Sequence, residues 1–426
     1  MDEQRIIVDA SVVESTDLDR ANYDQFLDEM LQEEGSLEEG VTALEVVATQ
    51  PSTLVAPLLP VTVLDTPPGR AVRQASFAPK ISWRSSTVRG GQAQRLYYIA
   101  DNGIEVSLGT PENPLDLVQA RKEIHKLGEL TVLIDRLLFW YWNTRRRPRP
   151  EDGKTFIGKN GSVPITFAEI MTMLGYQKHV KREYAGGEQR YTSGFRSEDK
   201  DRIHWNIAML SAFQVQSTYT GDGTMTAIDV HGAYLRYSMA TKKGVHVGYF
   251  ISPGDWINTI NLPDIPSLMR IDEQIFKFDK QREQHEIRLS LYLAERFRDQ
   301  AEEGTLGQPL YVPVENQPGT FRLLTMEDLL NGSLIKIDRN NLTRRFVPRI
   351  EDALQALQRV NIIGRVEWTT LVNREKAQWG RDWLTTPLLI EAPASLIKDY
   401  QLLEASLPVL PEKATSKNKK RTKSKR

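Results

Sequence analysis

The sequence predicts an α+β protein built from two tandem copies of one supersecondary unit, carried between an acidic N-terminal arm and a basic C-terminal arm. Three observations predict it. Charge is segregated along the chain. The central stretch mixes helical and strand periodicities, and the order of elements in its first half recurs in its second. The divisions that follow are a mostly disordered head and Pro-rich linker over 1–75, folded units over 76–260 and 261–405, and a disordered tail over 406–426.

The charge pattern comes first. The 426 residues carry 55 basic and 56 acidic side chains, a formal net charge of −1. Such a balance argues against a nucleic-acid binder until the charges are located. Residues 1–66 hold 15 acidic and 2 basic side chains, a net of −13. Residues 412–426 hold 8 basic and 1 acidic, a net of +7. The stretch 67–411 between them holds 45 basic and 40 acidic, a net of +5. The tail from Lys413 to Arg426 has no apolar residue beyond Ala414. It can bury nothing, so it reads as a disordered arm able to neutralise phosphates, or as a solubilising tail. In the head, residues 50–70 are Pro-rich and read as a linker. Tyr23, Phe26, Leu27, Met30 and Leu31 share one helical face among Asp24, Asp28, Glu29 and Glu33. That helix suits docking on a partner, shielding a basic surface, or packing on its own body.

The first unit opens with short strands at Lys80–Trp83, Arg95–Ile99 and Ile104–Leu108, the last two joined by an Asn102-Gly103 turn. Thr110 and Pro111 suit a helix start. Leu115–Arg147 carries Leu127, Leu130, Leu133, Ile134, Leu137, Leu138 and Tyr141 at helical spacing, with Gly128 able to divide it and Pro148 to stop it. Thr166 and Glu169 form a capping box for a short helix over Ile165–Leu174, closed by Gly175. A polar, basic stretch follows, Gln177–Arg196. Ser197 then caps a helix over Glu198–Phe213. Gln214–Tyr219 and Met225–Val230 read as a hairpin around Gly221-Asp222-Gly223, and Tyr234–Met239 and Val245–Ile251 as further strands.

The second unit repeats the order. Ile271–Glu302 reads as a helix with Ile275, Phe278, Ile287, Leu291, Ala294 and Phe297 apolar. A Gly- and Pro-containing loop spans Glu303–Thr320. Thr325 and Asp328 imitate a capping box for a short helix. Thr343 is placed to cap Arg344–Val360, although Pro348 favours a regular start nearer Val347. Ile362–Thr370 and Thr386–Ile390 supply hairpin strands around an Arg- and Trp-rich segment, Asn373–Trp383. Long helix, short capped helix, longer helix, hairpin is the winged helix-turn-helix order. There the second helix of the pair enters the major groove and the hairpin touches flanking backbone.

Catalytic chemistry finds no specific support. The absence of cysteine removes disulfides, thiolate metal sites and cysteine nucleophiles. Gly153–Lys159 fits G-x-x-x-x-G-K, but Asn160 stands where the phosphate loop needs Ser or Thr, so it reads as a surface loop. The six histidines, His125, His179, His204, His231, His246 and His285, have no metal-ligand spacing or the close pair of a rolling-circle nickase. Asp264, Asp272 and Glu273 form no recognisable two-metal cluster. The expectation is therefore no catalytic residue, no metal and no cofactor. No run of about 18 apolar residues predicts a membrane span, and the acidic N-terminus lacks signal-peptide character, so no membrane partner is expected.

What remains are clusters of basic side chains. Arg145, Arg146, Arg147 and Arg149 form one. Lys178, Lys181, Arg182, Arg190, Arg196, Lys200 and Arg202 lie before and within the second helix of the first unit. Lys242 and Lys243 sit on a turn that suits a hairpin tip against phosphate. Arg339, Arg344, Arg345 and Arg349 lie at or near the start of the corresponding helix in the second unit, where base-edge contacts are made. Arginine suits bidentate reading of guanine and equally suits phosphate; a solvated helix face is the plain alternative for each. Trp140, Tyr141 and Trp142, and Met171, Met173 and Met209, read as core.

The segments LTVLIDRLLFWYW, VPITFAEIMTMLGY, the 198–213 helix, EIRLSLYLAERF, LLTMEDLL and RRFVPRIEDALQALQRVNIIG together resemble plasmid replication initiators of the tandem winged-helix type, over roughly residues 110–395. The likeness is one of layout and apolar pattern, and the acidic head and extended basic tail depart from it. It implies sequence-specific binding of double-stranded DNA at repeated origin sites, recruitment of host replication proteins, a switch between monomer and homodimer, and a cytoplasmic place on plasmid or nucleoid. The alternatives are a transcriptional regulator of a mobile element that uses the same DNA-binding units, a DNA-processing enzyme, and a scaffold without nucleic acid.

Overall fold

The computed structural model describes residues 61–87, 94–108, 117–145, 161–185, 188–219, 228–242, 245–254, 256–259, 268–314, 317 and 319–406. The acidic helical face at 23–31, the Thr110-Pro111 helix start, Arg146, Arg147, Arg149, the 153–159 loop, Lys243 and the basic tail lie outside them.

The described chain begins inside the stretch expected to be linker. Strand β1, Val61–Leu64, is followed by helix α1, Pro67–Phe77. Thr66 caps α1 by accepting from the Gly69 amide, and Pro67 and Pro68 occupy its first turn. Proline there forfeits no hydrogen bond, so the prolines that suggested a linker start a helix instead. Residues 61–77, read from the sequence as head and linker, are thus a strand and a helix.

A 3-10 turn over Lys80–Ser82 then replaces the strand expected at Lys80–Trp83. Strands β2, Arg84–Thr87, β3, Gln94–Ile99, and β4, Glu105–Leu108, follow, with Gly103 at φ 78° in the expected turn. Helices α2, Leu117–Ile124, and α3, Glu129–Arg145, divide at Gly128. Strand β5, Val163–Thr166, runs directly into α4, Phe167–Met173. Thr166 and Glu169 complete the expected capping box in both directions, and Gly175 takes φ 75° just past the helix end.

The polar, basic stretch after α4 contains two paired antiparallel strands, β6, His179–Ala185, and β7, Glu188–Gly194. Helix α5, Ser197–Ala212, follows, starting from Arg196 without a side-chain cap. Then come β8, Phe213–Tyr219, β9, Ile228–Ala233, β10, Leu235–Lys242, and β11, Val245–Pro253. After a turn of helix, α6, Trp256–Thr259, strand β12, Leu268–Ile271, pairs with β1.

The second half contains α7, Gln274–Lys277, and α8, Gln284–Glu302. The single helix expected over Ile271–Glu302 is thus β12, α7 and α8. The break is chemical: the Asp279 carboxylate accepts the amides of Gln281 and Arg282 and folds the chain into a turn. A small hairpin, β13, Tyr311–Pro313, and β14, Phe321–Leu323, occupies the expected loop. Then come α9, Met326–Gly332, a π-turn over Leu342–Phe346, α10, Val347–Arg359, β15, Val366–Trp368, α11, Trp379–Thr385, β16, Leu388–Ile390, and α12, Ala394–Ser406. Thr325 and Asp328 form a second complete capping box at α9.

Two pairing relations recur. In the first half the sheet order is β10-β11-β5, so the strand entering the short capped helix pairs with the second strand of a hairpin. In the second half β15 pairs with β16, the Leu388 amide donates to the Leu324 carbonyl at 2.7 Å, and Thr325 bridges Pro387. Leu324 and Thr325 therefore stand to β16 as β5 stands to β11. The hairpin expected to play this part in the first half, Gln214–Val230, does something else. Its strands β8 and β9 complete a five-stranded antiparallel sheet, β2-β3-β4-β8-β9. Register explains the capture: it aligns Leu96, Leu108 and Phe213 in one row and Tyr98, Val106 and Val215 in the next, apolar throughout, with Trp83 against Tyr98 and Phe213.

One hydrophobic core runs through both halves, with α3 and α8 at its centre. Trp142, Met171 and Met209 are buried in it and Trp140, Tyr141 and Met173 pack against it. Across the junction runs a buried set of charges. Arg73 and Arg136 both reach the Glu295 carboxylate, at 2.7 and 3.1 Å. Arg70 bridges Asp65 and Asp299 at 2.5 and 2.6 Å, and Arg298 approaches Asp65 at 3.4 Å. Asp135 accepts from the Tyr234 hydroxyl at 2.8 Å, and burial pushes its carboxyl up to about 6, against the pull of Arg136 and Tyr234. The Lys280 ammonium adds a second tie between the halves, donating to the Leu174 and Phe276 carbonyls; burial lowers it to about 8.

Candidate nucleic-acid interface

A group of exposed arginines lies at the start of α10. Its launch is local chemistry. The Asp338 carboxylate accepts the amides of Asn340 and Asn341 and the Asn341 side chain, which turns the chain into the π-turn at Leu342. Thr343, expected to cap the helix, lies within that turn, and Pro348 fits because the regular helix begins at Val347. Phe346, Val347, Ile350, Ala353, Leu354 and Leu357 are buried. The helical period therefore turns Arg344, Arg345 and Arg349 outward, and all three are exposed. Among the described residues, no carboxylate forms an ion pair with Arg344 or Arg345. Arg349 stands near His285 and Glu286 of α8; burial foremost, then the Arg349 and Arg288 charges, lowers the His285 pKa. Arg339 is also exposed but is paired with Glu327 of α9 at 3.2 Å.

The segment between β15 and β16 adds cations beyond the basic clusters expected from the sequence. A Cβ at Gly380 would lie 2.7 Å from Thr343 and 3.0 Å from Leu342, so α11 sits directly on the start of the π-turn. Arg374 donates to the Glu351 carboxylate of α10 at 2.6 and 2.9 Å, and its guanidinium lies 5.4 Å from the Trp379 ring centre. Trp383 donates to the same Glu351 at 3.0 Å. Lys376 and Arg381 are exposed. The Arg and Trp content of this segment was its only signal in the sequence; its attachment to α10 is tertiary.

The first half is arranged differently. Lys178, Arg196 and Arg202 are exposed and Lys200 is half-buried. Lys200 lies 5.9 Å from the Phe167 ring, Lys178 5.9 Å from the Phe195 ring, and Arg202 hydrogen-bonds Tyr176. Glu198, Asp199 and Asp201 alternate with Lys200 and Arg202. The start of α5 is thus mixed in charge, whereas Arg344, Arg345 and Arg349 face solvent together. Backbone register sets Lys181 opposite Thr192 and Arg182 opposite Tyr191 on the β6–β7 hairpin, with Arg190 opposite Glu183. Lys242 ends β10 and is paired in register with Val245, the first residue of β11. Arg145 is not part of a surface patch: it is bound to Glu169 and to the Pro164 carbonyl, and it braces α4 against α3.

No group of three or more His, Asp or Glu side chains suited to a metal ion occurs among the described residues, and no described helix is long and apolar enough to cross a membrane. Comparison with family models, curated proteins and solved structures returned no match.

Proposed function

We propose that the two repeated units are winged helices and that the chain binds double-stranded DNA sequence-specifically, as an initiator of plasmid replication acting at repeated origin sites without catalysis of its own. One observation carries the DNA-binding part: Arg344, Arg345 and Arg349 stand exposed together at the start of the helix that follows a short capped helix. In a winged helix this is the end that meets base edges. The recurring hairpin pairing supports the fold, since it returns a strand beside the helix pair in each unit. The net of +5 over residues 67–411 supplies the electrostatic footprint. The origin-binding role rests on the resemblance of layout.

The test is a gel shift of the full chain on DNA flanking its own gene, across a salt series. Retardation at about 100 mM salt, with affinity falling steeply as salt rises, is the expected result. No binding to any duplex at that salt removes the reading. Copies of the bound sequence repeated beside the gene, and loss of plasmid maintenance when they are scrambled, support the initiator role. Deleting residues 412–426 lowers the salt slope if the basic tail touches phosphate.

A further inference from the structure

We propose that His204 and His246 form an acid-sensitive latch that fixes the start of α5 to strand β11 in the first unit, and that charging both imidazoles releases it. The latch belongs to the fold of the first unit and does not depend on the DNA-binding reading above.

The two imidazoles face each other across the joint, 5.8 Å between ring centres and at 88°. His204 lies on α5, and its Nδ1 is 3.0 Å from the Tyr249 hydroxyl of β11. His246 lies on β11 and donates from Nε2 to the Gly248 carbonyl at 2.7 Å, which leaves its Nδ1 to take a proton. The walls are aromatic. The Phe167 ring of α4 lies 4.7 Å from His246 and 5.1 Å from Tyr249, and the Tyr237 ring of β10 lies 6.3 Å from His204. Tyr249 is fully buried and both imidazoles are half-buried. The charged groups acting on the pair are Lys200 and Asp201, both on α5. These two offset each other, so two added protons leave two positive charges close together without a counter-ion. Burial accordingly lowers both imidazoles from 6.5, at His204 against the pull of Asp201. At His246 the Gly248 bond opposes burial, while His204 and Lys200 add to it. The folded chain takes up these protons less readily than the unfolded chain. The stability of the joint is therefore present above 6.5 and is lost as pH falls below it.

The anchors decide which part gives way. Strand β11 is held from behind, where Gly248 pairs with Thr166 and a Cβ would overlap the Ile165 carbonyl. Helix α5 is held further along, where the Thr131 hydroxyl donates to Asn206 at 2.6 Å and Ile207 and Leu210 are buried. Between these anchors the first turns of α5, with Lys200 and Arg202, meet β11 through His204. Those turns are what the latch releases.

Hydrogen exchange of the full chain, read by mass spectrometry and corrected for the pH dependence of chemical exchange, tests the latch. Protection of residues 201–206 of α5 is expected to fall by roughly tenfold between about pH 7.5 and about pH 5.5. His204→Asn with His246→Gln keeps an acceptor for Tyr249 and a donor for Gly248 but cannot charge. Its protection over the same residues is the same at both pH values. Unchanged protection in wild type, or an equal loss in the double variant, overturns the latch. Lys200→Gln removes the cation beside His246, so its loss is smaller than that of wild type. An undiminished loss there overturns the proposal even where the double variant fails to fold. No DNA enters the readout, so either outcome leaves the DNA-binding reading where it stood.

Discussion

Arg73 of α1 and Glu295 of α8, 222 residues apart in sequence, meet at 2.7 Å with side chains only 4% and 5% exposed. Arg136 of α3 shares the same carboxylate. One acid thus holds the N-terminal strap and both halves of the body together. Removing one member of a buried pair leaves the others uncompensated, so Glu295→Gln lowers stability by about 3–5 kcal/mol. Urea denaturation measures it, and a loss below about 1 kcal/mol assigns the cluster no part in joining the halves.

Asp135 gives the fold a pH dependence of definite sign. Its carboxyl, ordinarily at 3.8, sits at about 6 in the folded chain because burial disfavours the charged form. The folded state therefore holds a proton that the unfolded state has released, and this contribution falls as pH rises from 3.8 to about 6. Asp135→Asn keeps an acceptor for Tyr234 but cannot ionise. Its stability relative to wild type improves by roughly 2–3 kcal/mol across that window and is flat above it. Parallel pH profiles for the two proteins contradict the assignment.

The paired capping boxes predict matched losses. Thr166→Ala and Thr325→Ala each remove the side chain that accepts the third amide of a short helix, at 3.1 and 3.3 Å. Each costs about 1 kcal/mol. Thermal denaturation of both variants reads this directly.

Gly254 admits no side chain. A Cβ there would lie 1.5 Å from the Ala233 carbonyl oxygen and 3.1 Å from Trp256. Gly254→Ala forces the end of β11 from the end of β9, at a cost of about 3 kcal/mol or more. Wild-type stability in that variant contradicts the close approach.

Arg344 and Arg345 separate function from folding. Both are exposed, and among the described residues neither has an ion-pair partner. The double alanine variant keeps its stability within about 0.5 kcal/mol. Under the proposed DNA-binding reading, it loses about 1–3 kcal/mol of specific affinity per lost base contact. Urea denaturation and titration against one duplex, each run on the wild-type chain and the double variant, check the two halves of the prediction.

Much of this structure is legible locally. Thr166 with Glu169 and Thr325 with Asp328 announce their helices because a capping box is complete within four residues. Gly128 as a helix break and Pro348 in the first turn of α10 are legible too, because each acts on its own backbone. What failed was partner choice. Strand β8 pairs with a following strand as expected, although that strand is Ile228–Ala233 and the expected turn at 221–223 lies outside the described residues; alternation cannot say that β8 also pairs with β4 and leaves β11 to pair with β5. The basic residues of α5 and α10 look alike in sequence. Only the fold brings Lys200 to Phe167 and Arg202 to Tyr176 while leaving Arg344 and Arg345 turned to solvent.

The sequence by itself determined the α+β class, the order of most elements, the two capped helices and the segregation of charge. Each of these depends on residues a few positions apart. The tertiary structure alone decided that residues 61–77 belong to the fold, that Arg73 and Arg136 converge on Glu295, and that Arg374 ties the β15–β16 segment to α10. Those contacts join charges from distant parts of the chain, and a charged side chain carries no local sign of its partner. Burial in a shared core selects the pairing, because there an unpaired charge costs too much to leave alone.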